Sequence, residues 1–430
     1  MTPDRLRDPG YDDRHSQFSA DRRLGTADRG LRTGAMNILY FADIRFPLER
    51  ANGIQTIETC HGLSRRGHSV TLIVRPDTRT PARDALEFYG LPRIESLRIE
   101  TAPVTGPAIA RRTGYLAFAA GRAMGAGRAN ILFTRDLGVA SALLRIPRSM
   151  RAPVVYESHG YAPDVALALP GLVSTAGQPS DAKVSRLKRR EARVWQRAEG
   201  YVTITSGLLE EMRGRHGERE RVAVVPDGAR IASTGFSAPE SSGRPVVAYA
   251  GHLYAWKGVD VLLDAIAALP DVEGLIVGGH EAEPDLARLK ARAGSLGILD
   301  SVRFTGLVAP SRVAELLRSA DVLVLPNPAS AISTRFTSPL KLFEYMAAGR
   351  PVVASDLPAI REVLQHDVTA LLVEPGEARA IAAAVRRLVD EPGLGDRLAG
   401  AAALAVRDYS WDRRAERIEA LLQQVIDSNA

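Results

Sequence analysis

The sequence contains little cysteine and little lysine, and both scarcities limit what the protein can do. With Cys60 as its only cysteine, a chain of 430 residues has no internal disulfide framework, no cysteine-rich zinc site and no Cys-x-x-Cys redox motif. Of its 56 basic residues, 51 are arginine and five are lysine. In this arginine-rich background, a position that keeps lysine is expected to need a compact ammonium group rather than a planar guanidinium.

Long apolar runs are also missing. No stretch reaches the roughly 18–20 uninterrupted apolar residues that a membrane-spanning helix requires, because the nearest candidate, residues 114–133, contains Arg122, Arg128 and Asn130. The N-terminus has no apolar core of the kind found in secretory signals. We therefore expect a cytoplasmic protein, and a single cysteine fits a reducing compartment.

One hydrophobic core stops growing near roughly 250–300 residues, so a chain of 430 residues is expected to hold more than one domain. The distribution of residues along the chain predicts five segments. Residues 1–35 carry seven arginines and six aspartates with almost no apolar periodicity, so they are predicted to be a disordered leader. Two series of apolar segments follow, over residues 36–226 and 245–405, and a linker rich in Gly, Ser and Pro is predicted at 227–244. Residues 406–430 are predicted to hold a terminal amphipathic helix.

Short apolar strands alternate with helical segments in both series. Such strands are typical of parallel sheets covered on both faces, so the predicted fold class is α/β with two doubly wound, Rossmann-like domains. Residues 161–181 lack this pattern and are predicted to be a loop. The strand candidates are residues 37–42, 69–74, 131–134, 154–157, 201–204 and 222–225 in the first series, and 246–250, 275–277, 302–305, 322–325, 351–354 and 370–373 in the second.

The position of the active site follows from this architecture. Open parallel sheets bind ligands at the carboxyl ends of their strands, so two facing domains are expected to hold a site in the cleft between those ends. Neither series carries Gly-x-Gly-x-x-Gly after its first strand. A nicotinamide-dependent dehydrogenase is therefore disfavoured.

The first candidate motif, Gly-His-Leu-Tyr-Ala-Trp-Lys-Gly, follows the first strand of the second series. Gly251 and Gly258 would let backbone N–H groups approach an anion at a helix N-terminus, and Lys257 would add a point charge. The alternative is a solvated lysine in a loop. We predict a phosphate site that differs from the P-loop in spacing.

The second motif surrounds Glu344. Ser338 followed by proline predicts a helix start, and Gly349 predicts its end, so a helix of about ten residues lies between them. Lys341 and Glu344 are three residues apart and share one face of this helix. They could form an ordinary surface ion pair, or the carboxylate could accept both hydroxyls of a ribose at the cleft.

The third motif is His159, which follows the strand predicted at 154–157. A lone histidine is more often structural than catalytic. Here it stands at the carboxyl end of a parallel strand, where a ligand is expected. This position favours a functional role.

These motifs, in this order and spacing, resemble those of the GT-B-fold retaining glycosyltransferases called family 4, or group 1. The resemblance covers residues 36 to the C-terminus and includes the Asn-Gly-Ile sequence at 52–54, Val-Pro-Asp-Gly at 225–228 and Ala-Ala-Gly-Arg-Pro-Val-Val-Ala-Ser at 347–355. It implies two domains facing each other across a cleft, with the acceptor on the first and a nucleotide sugar on the second. The terminal helix would cross back to the first domain.

The resemblance also implies roles for individual residues. Lys257 would neutralise the donor diphosphate, Glu344 would bind the ribose, and His159 would contact the transferred sugar near its anomeric centre, so these three are the predicted catalytic residues. The other donor-binding residues that it implies are Gly53, Ser206, Gly251, His252, Gly258, Ser338 and Leu340.

Two positions depart from the family's pattern. Phe336 stands where the family often has a second glutamate, eight residues before Glu344, and His252 stands where it usually has arginine. A neutral histidine binds phosphate more weakly than arginine does. We interpret both changes as signs of a specialised donor site.

The implied reaction moves a sugar from a nucleotide diphosphate sugar to an acceptor hydroxyl with retention. No cofactor and no metal are expected, and the sequence contains no Asp-x-Asp motif. Two alternatives stay open. One is an inverting enzyme of the same fold, in which Asp43 or Glu49 would be the general base because residues 43–53 hold no histidine. The other is a catalytically silent protein that binds sugar nucleotides.

The expected partners are a nucleotide sugar and an acceptor that is a glycan, a lipid-linked molecule or a small molecule. Nucleic acid is not predicted, because the net charge of +6 is spread over the whole chain. One basic run is interpreted either as a solvated helix face or as a peripheral contact with an anionic membrane surface. It consists of Arg186, Lys188, Arg189, Arg190 and Arg193.

Overall fold

The computed structural model describes residues 34–127, 130–172, 177–231, 243–280, 283–330, 333–334 and 340–428. The leader predicted over residues 1–35 lies outside this set except for its last two positions. Phe336, Ser338 and most of the linker predicted at 227–244 also lie outside the described residues.

The first half of the chain forms a parallel sheet of seven strands. They are β1 (Asn37–Arg45), β2 (Ser69–Arg75), β3 (Leu97–Thr101), β4 (Asn130–Thr134), β5 (Val154–Ser158), β6 (Gly200–Thr203) and β7 (Val222–Val224). Their order across the sheet is β3-β2-β1-β4-β5-β6-β7. The order changes direction between β1 and β4, and such a switch point is where open α/β sheets bind ligands.

Helices cover both faces of this sheet. They are α1 (Ala51–Arg65), α2 (Ala85–Tyr89), α3 (Ala108–Gly125), α4 (Leu137–Leu143), α5 (Ala162–Leu172), α6 (Asp181–Arg197) and α7 (Ser206–His216). Side chains alternate along β1, so that Leu39 and Phe41 pack into one core and Ile38 and Tyr40 into the other. Burial on both faces explains why the central strands of this sheet are largely apolar.

The second half repeats this plan with six strands. They are β8 (Val246–Ala250), β9 (Glu273–Val277), β10 (Val302–Gly306), β11 (Val322–Leu325), β12 (Val352–Ser355) and β13 (Leu371–Val373), in the order β10-β9-β8-β11-β12-β13. The helices are α8 (Val259–Ala267), α9 (Pro284–Ser295), α10 (Pro310–Arg318), α11 (Leu340–Ala348), α12 (Pro358–Arg361), α13 (Ala378–Asp390) and α14 (Pro392–Ala405). Two doubly wound parallel sheets confirm the predicted fold class.

The last helix, α15 (Trp411–Asp427), packs on the first half of the chain. Its apolar face, which includes Ala415, Ile418 and Leu422, shares a core with Ile57 and Cys60 of α1. The prediction that the terminal helix crosses back to the first domain is therefore confirmed. This crossing brings side chains of α15 close to the cleft.

Two local predictions need correction. The loop predicted at 161–181 is wrong, because Ala162–Leu172 is helical; the Pro170-Gly171 pair near the end of that helix has the composition of a turn. Strand β3 was not predicted, because it is an edge strand in which only Leu97 is fully buried and charged residues alternate with apolar ones.

The apolar stretch at residues 114–133 does not form one helix. It is divided between α3 and β4, which are separate elements of the first half. Among the helices that the structure describes, none combines the length and the apolar character needed to cross a bilayer.

Candidate active site

A cavity of about 570 Å³ lies between the carboxyl ends of the two sheets, and residues from both halves line it. His159 follows the end of β5 and Gly251 follows the end of β8, so the two parallel sheets direct their strand ends into one space. We define its N-terminal wall as Gln55, Arg135, His159 and Asp227. Its C-terminal wall is Gly251, His252, Lys257, Leu340, Lys341 and Glu344.

Glycine is required where the loop after β8 turns into α8. Gly258 has a φ of +77°, and a Cβ built there would lie 1.8 Å from the carbonyl oxygen of Pro326. Only a residue without a side chain allows the loop to approach the end of β11 this closely. The glycine therefore fixes the position of its neighbour, Lys257.

Lys257 is a half-buried lysine without a carboxylate partner among the described residues. Its Nζ lies 3.5 Å from the centre of the Trp256 ring. Among the described residues, no carboxylate lies within 4.0 Å of it. Burial lowers the pKa of Lys257 to about 7, because a buried ammonium loses its hydration. An anion that entered the cavity would restore the charged form.

His252 adds no positive charge at neutral pH. Burial, followed by the charges of Arg50 and Lys257, lowers the pKa of His252 to about 4. Its ring stacks on Tyr254, with 5.1 Å between the centroids and an interplanar angle of 6°. The neutral imidazole can donate or accept a hydrogen bond in the cavity.

Glu344 faces the same cavity from α11. Burial raises the pKa of Glu344 to about 7, and the charge of Lys341 opposes this shift. Lys341 donates a hydrogen bond to the Tyr249 hydroxyl at 2.6 Å, and in the described structure it makes no ion pair with Glu344 within 4.0 Å. The surface ion pair considered from the sequence is therefore absent.

His159 is held by a carboxylate beneath the N-terminal wall. Its Nε2 lies 2.7 Å from Oε1 of the fully buried Glu157. Burial opposes the ionisation of Glu157, but Arg414 and His159 outweigh it and lower the pKa of Glu157 to about 2. Burial and the charge of Arg135 lower the pKa of His159. Because ionised Glu157 only accepts hydrogen bonds, Nε2 carries the proton and Nδ1 is free to accept one.

Arg414 is a site residue that the sequence predictions missed. From α15 it donates to Glu157 at 2.5 Å, to Thr59 at 3.2 Å and to the carbonyl oxygens of Val225 and Pro226 at 2.8 and 2.6 Å. It is three residues after the buried Trp411, on the apolar face of α15. A charged residue at a core position of an amphipathic helix was the available signal.

One group of side chains has the spacing of metal ligands. Glu157, His159 and Asp227 bring one ligand atom each within 4.8 Å of one another. The Arg414 guanidinium bonds Glu157 and lies 4.0 Å from Asp227, so the site already contains a cation. A divalent ion here would be repelled by that charge, and the donor set fits an ion-pair network better than a metal centre.

Three predicted site residues do not line the cavity. A Cβ at Gly53 would lie 2.3 Å from the Leu48 carbonyl oxygen and 2.4 Å from the Tyr89 hydroxyl, so the close approach that this glycine permits is to the protein's own atoms. Gly258 acts through the backbone of the loop, as described above. Ser206 lines a smaller cavity of about 310 Å³, where its N–H donates to Glu362 at 3.0 Å. Ser338 lies outside the described residues.

The cavity therefore combines two kinds of chemistry. Its C-terminal wall offers an unneutralised lysine, a glycine loop and a carboxylate, a set that can bind an anion and a diol. Its N-terminal wall offers an oriented imidazole and a second carboxylate, which can hydrogen-bond the hydroxyls of a sugar.

Comparison with known families identifies both halves of the chain. Residues 53–232 match the family described as Glycosyltransferase Family 4, and residues 244–391 match the one described as Glycosyl transferases group 1. A phosphatidyl-myo-inositol mannosyltransferase of Mycobacterium leprae is 36% identical over 215 residues, which are 48% of this chain and 54% of that protein. A D-inositol 3-phosphate glycosyltransferase of Streptomyces griseus is 33% identical over 204 residues, 44% and 41% of the two chains. The chain spans about half the length of these relatives.

Solved structures share the fold at low sequence identity. Sucrose-phosphate synthase of Thermosynechococcus elongatus has a TM-score of 0.74 at 17% identity. The match covers 91% of this chain and 100% of that protein. Anabaena HepE in complex with UDP-glucose has a TM-score of 0.66 at 18% identity, and the match covers 90% of this chain and 100% of that protein. With a matching family domain in each half and the two-sheet architecture of these structures, the chain belongs to the group 1, family 4 glycosyltransferases of GT-B fold.

Proposed function

We propose that the protein transfers a sugar from a nucleotide diphosphate sugar to an acceptor hydroxyl with retention and without a metal. The observation that carries this proposal is Lys257, a half-buried lysine that lacks a carboxylate partner among the described residues and faces the same cavity as His159 and Glu344. Its charge would stabilise the diphosphate as the bond to the sugar breaks. The names of the relatives and the UDP-glucose bound to HepE support a nucleotide sugar as donor.

Each residue has a distinct part in this mechanism. Glu344, as a carboxylate, would accept hydrogen bonds from the ribose hydroxyls. His159, with Nδ1 facing away from Glu157, would hydrogen-bond a hydroxyl of the transferred sugar and hold its anomeric carbon beside the acceptor. The leaving diphosphate would take the proton from the acceptor hydroxyl on the same face, so the new bond forms with retention.

The state of the two candidate bases supports retention over inversion. Glu49 is bonded by Arg45 and Arg83, and these hydrogen bonds outweigh burial and lower the pKa of Glu49 to about 2. Burial raises the pKa of Asp43, but its carboxylate is ion-paired with Arg75 and Arg112, which occupy the oxygens that would accept a proton. A carboxylate neutralised by two guanidinium groups is a weak general base at neutral pH. Formation of a β-linked product from an α-linked donor would overturn retention.

Metal independence is supported by the cations already in the cavity. Arg414 occupies the one group of described side chains with metal-ligand spacing, and Lys257 is available for the diphosphate. We expect turnover to survive EDTA unchanged. Complete loss that Mg²⁺ or Mn²⁺ restores would overturn this part of the proposal.

For the acceptor, we propose a polyol, glycan or lipid-linked hydroxyl bound on the N-terminal half. A peripheral contact with an anionic membrane would run through exposed cations of α6, among them Arg186, Lys188 and Arg189, beside the half-exposed Leu167 of α5. Co-sedimentation with vesicles containing anionic lipid, compared with neutral vesicles, tests this contact. Equal recovery with both vesicle types would contradict it.

The decisive experiment is a panel of nucleotide sugars scored first by thermal shift and then by product analysis. A bound donor stabilises the folded state by mass action, so one donor class should raise Tm above the others. That donor should then give hydrolysis or transfer. Binding without any turnover would favour a catalytically silent protein, in line with the departures at Phe336 and His252.

A further inference from the structure

Lys341 is a second lysine of the cavity, buried where Lys257 is half-buried, and the proposed mechanism gives it no role. It is the second residue of α11, is 9% exposed and lines the cavity together with Lys257. The other three lysines, Lys183, Lys188 and Lys290, are exposed. In a chain with 51 arginines, both lysines that are not exposed face one cavity.

The Lys341 ammonium lies against the loop that carries Lys257. Its Nζ is 2.6 Å from the Tyr249 hydroxyl and 4.0 Å from the centre of that ring. A Cβ built on Gly251 would lie 2.9 Å from the same Nζ, so the ammonium is next to the first residue of the loop. In the part of the chain that the structure describes, no carboxylate lies within 4.0 Å of Nζ.

We propose that Lys341 binds the diphosphate of the donor together with Lys257, from the side of Gly251. This inference rests on the proposed function and assigns a further donor-binding residue to it. A diphosphate carries more negative charge than one ammonium neutralises, and the neutral His252 supplies none of the remainder. Two lysines in one cavity match that charge.

The electrostatic state of Lys341 agrees with this placement. Burial, followed by the charge of Lys257, lowers its pKa well below the usual range. Both lysines are therefore costly to keep charged while the cavity holds no anion, and a diphosphate between them removes the cost. A lysine kept only for stability would be expected to pair with a carboxylate.

A purely structural role for Lys341 would act through Tyr249. That hydroxyl also donates to the carbonyl oxygen of His252 at 2.7 Å, so it holds the loop. Tyr249→Phe removes this hydroxyl and leaves the ammonium in place, which separates the two roles. Lys290→Met on the exposed face of α9 is the matched control for the loss of a lysine.

The test is calorimetric titration of the full-length protein and its variants with UDP, GDP and the corresponding nucleosides. Lys341→Met should lower affinity for the diphosphate that wild type binds by about 10- to 100-fold, as expected for a lost hydrogen bond to a charged group. Nucleoside affinity should be unchanged, and the Tm of the ligand-free variant should not fall. Tyr249→Phe and Lys290→Met should bind the diphosphate as wild type does.

Three results would overturn the inference. They are wild-type diphosphate affinity in Lys341→Met, an equal loss of nucleoside and diphosphate affinity with a lower Tm, and the same loss in Tyr249→Phe. If wild type binds no nucleoside diphosphate and no donor of the nucleotide-sugar panel, the proposed function fails and this inference fails with it. If Lys257→Ala loses diphosphate affinity while Lys341→Met keeps it, only the present inference fails.

Discussion

On the N-terminal side of the cavity the buried carboxylate Glu157 is paired with Arg414, whereas on the C-terminal side Lys257 and Lys341 have no carboxylate within 4.0 Å among the described residues. The pKa directions agree with this contrast: Glu157 is stabilised in its charged form, and both lysines are destabilised in theirs. On the N-terminal side the buried charges of Glu157 and Arg414 balance each other without a ligand. The other side holds two amines whose charged form is stabilised only when an anion is added.

The contrast also separates stability from function. Substitutions on the paired side should damage the fold, because they leave a buried charge without its partner. Substitutions of the unpaired lysines should damage binding and turnover while the fold stays intact. The following predictions test this division.

The largest effect is expected at Arg414. Arg414→Met removes a fully buried guanidinium and leaves Glu157 unpaired, so unfolding in urea should show a loss of about 3–5 kcal/mol. Adding Glu157→Gln should recover part of that loss. The control is Arg413→Met, which removes an exposed arginine from the same helix and should cost less than about 1 kcal/mol. Equal losses at the two positions would contradict the account.

Lys257→Ala comes next. It removes a cation aimed at charge that develops in the transition state, so turnover should fall by about 10²–10³. The Tm without ligand should not fall, because the lost amine is half-buried and has no carboxylate partner among the described residues. Lys290→Ala is the control. One group that stabilises charge in the transition state is expected to change turnover by far more than about threefold. If turnover of Lys257→Ala stays within about threefold of wild type, the assignment of this loop as a phosphate site is wrong.

Glu344 and His159 are predicted to contact different parts of the donor, so variants of the two residues test how the donor lies in the cavity. Glu344→Gln should lower the affinity for a nucleoside diphosphate and for the intact nucleotide sugar by similar factors of about tenfold, since both ligands carry the ribose. His159→Ala should lower turnover and hardly change nucleoside diphosphate affinity. Titration of both variants with both ligands checks this. The reverse pattern would mean that the donor lies the other way round in the cavity.

The smallest effect is expected at the start of the chain. Residues 1–35 have almost no apolar periodicity to support a core, so deleting them should leave both Tm and turnover unchanged. Thermal denaturation and a transfer assay of the shortened protein check this. A fall of several degrees in Tm would show that they pack on the folded part.

The sequence was most informative where its pattern is local. Apolar strands covered on both faces, such as β8 and β11, were predictable because their burial leaves no charged residue in the run. The edge strand β3 was not, since half of its side chains meet solvent. The position of His159, Lys257 and Glu344 at one cavity was predictable, because they lie in loops after strand ends or on a well-bounded helix, while their roles stay predictions.

What the sequence did not reveal depends on contacts between distant segments. Arg414 reaches Glu157 across 257 positions, and Lys341 reaches Tyr249 across 92. Neither pairing leaves a periodic signal, because each arises only when separate elements meet at the cleft. The same holds for Ser206, whose N–H is taken by Glu362 of the other half.

The most direct test of the central contrast is the proton balance of nucleoside diphosphate binding. Lys257, with a pKa near 7 in the free protein, and Lys341 should both be charged in the complex, while Glu344 is already mostly ionised at pH 8. Calorimetry at pH 8 in buffers of different ionisation enthalpy should therefore show uptake of at least about one proton, and affinity should fall as the pH rises from 7 to 9. Equal binding enthalpies in all buffers, with affinity unchanged from pH 7 to pH 9, would contradict the account.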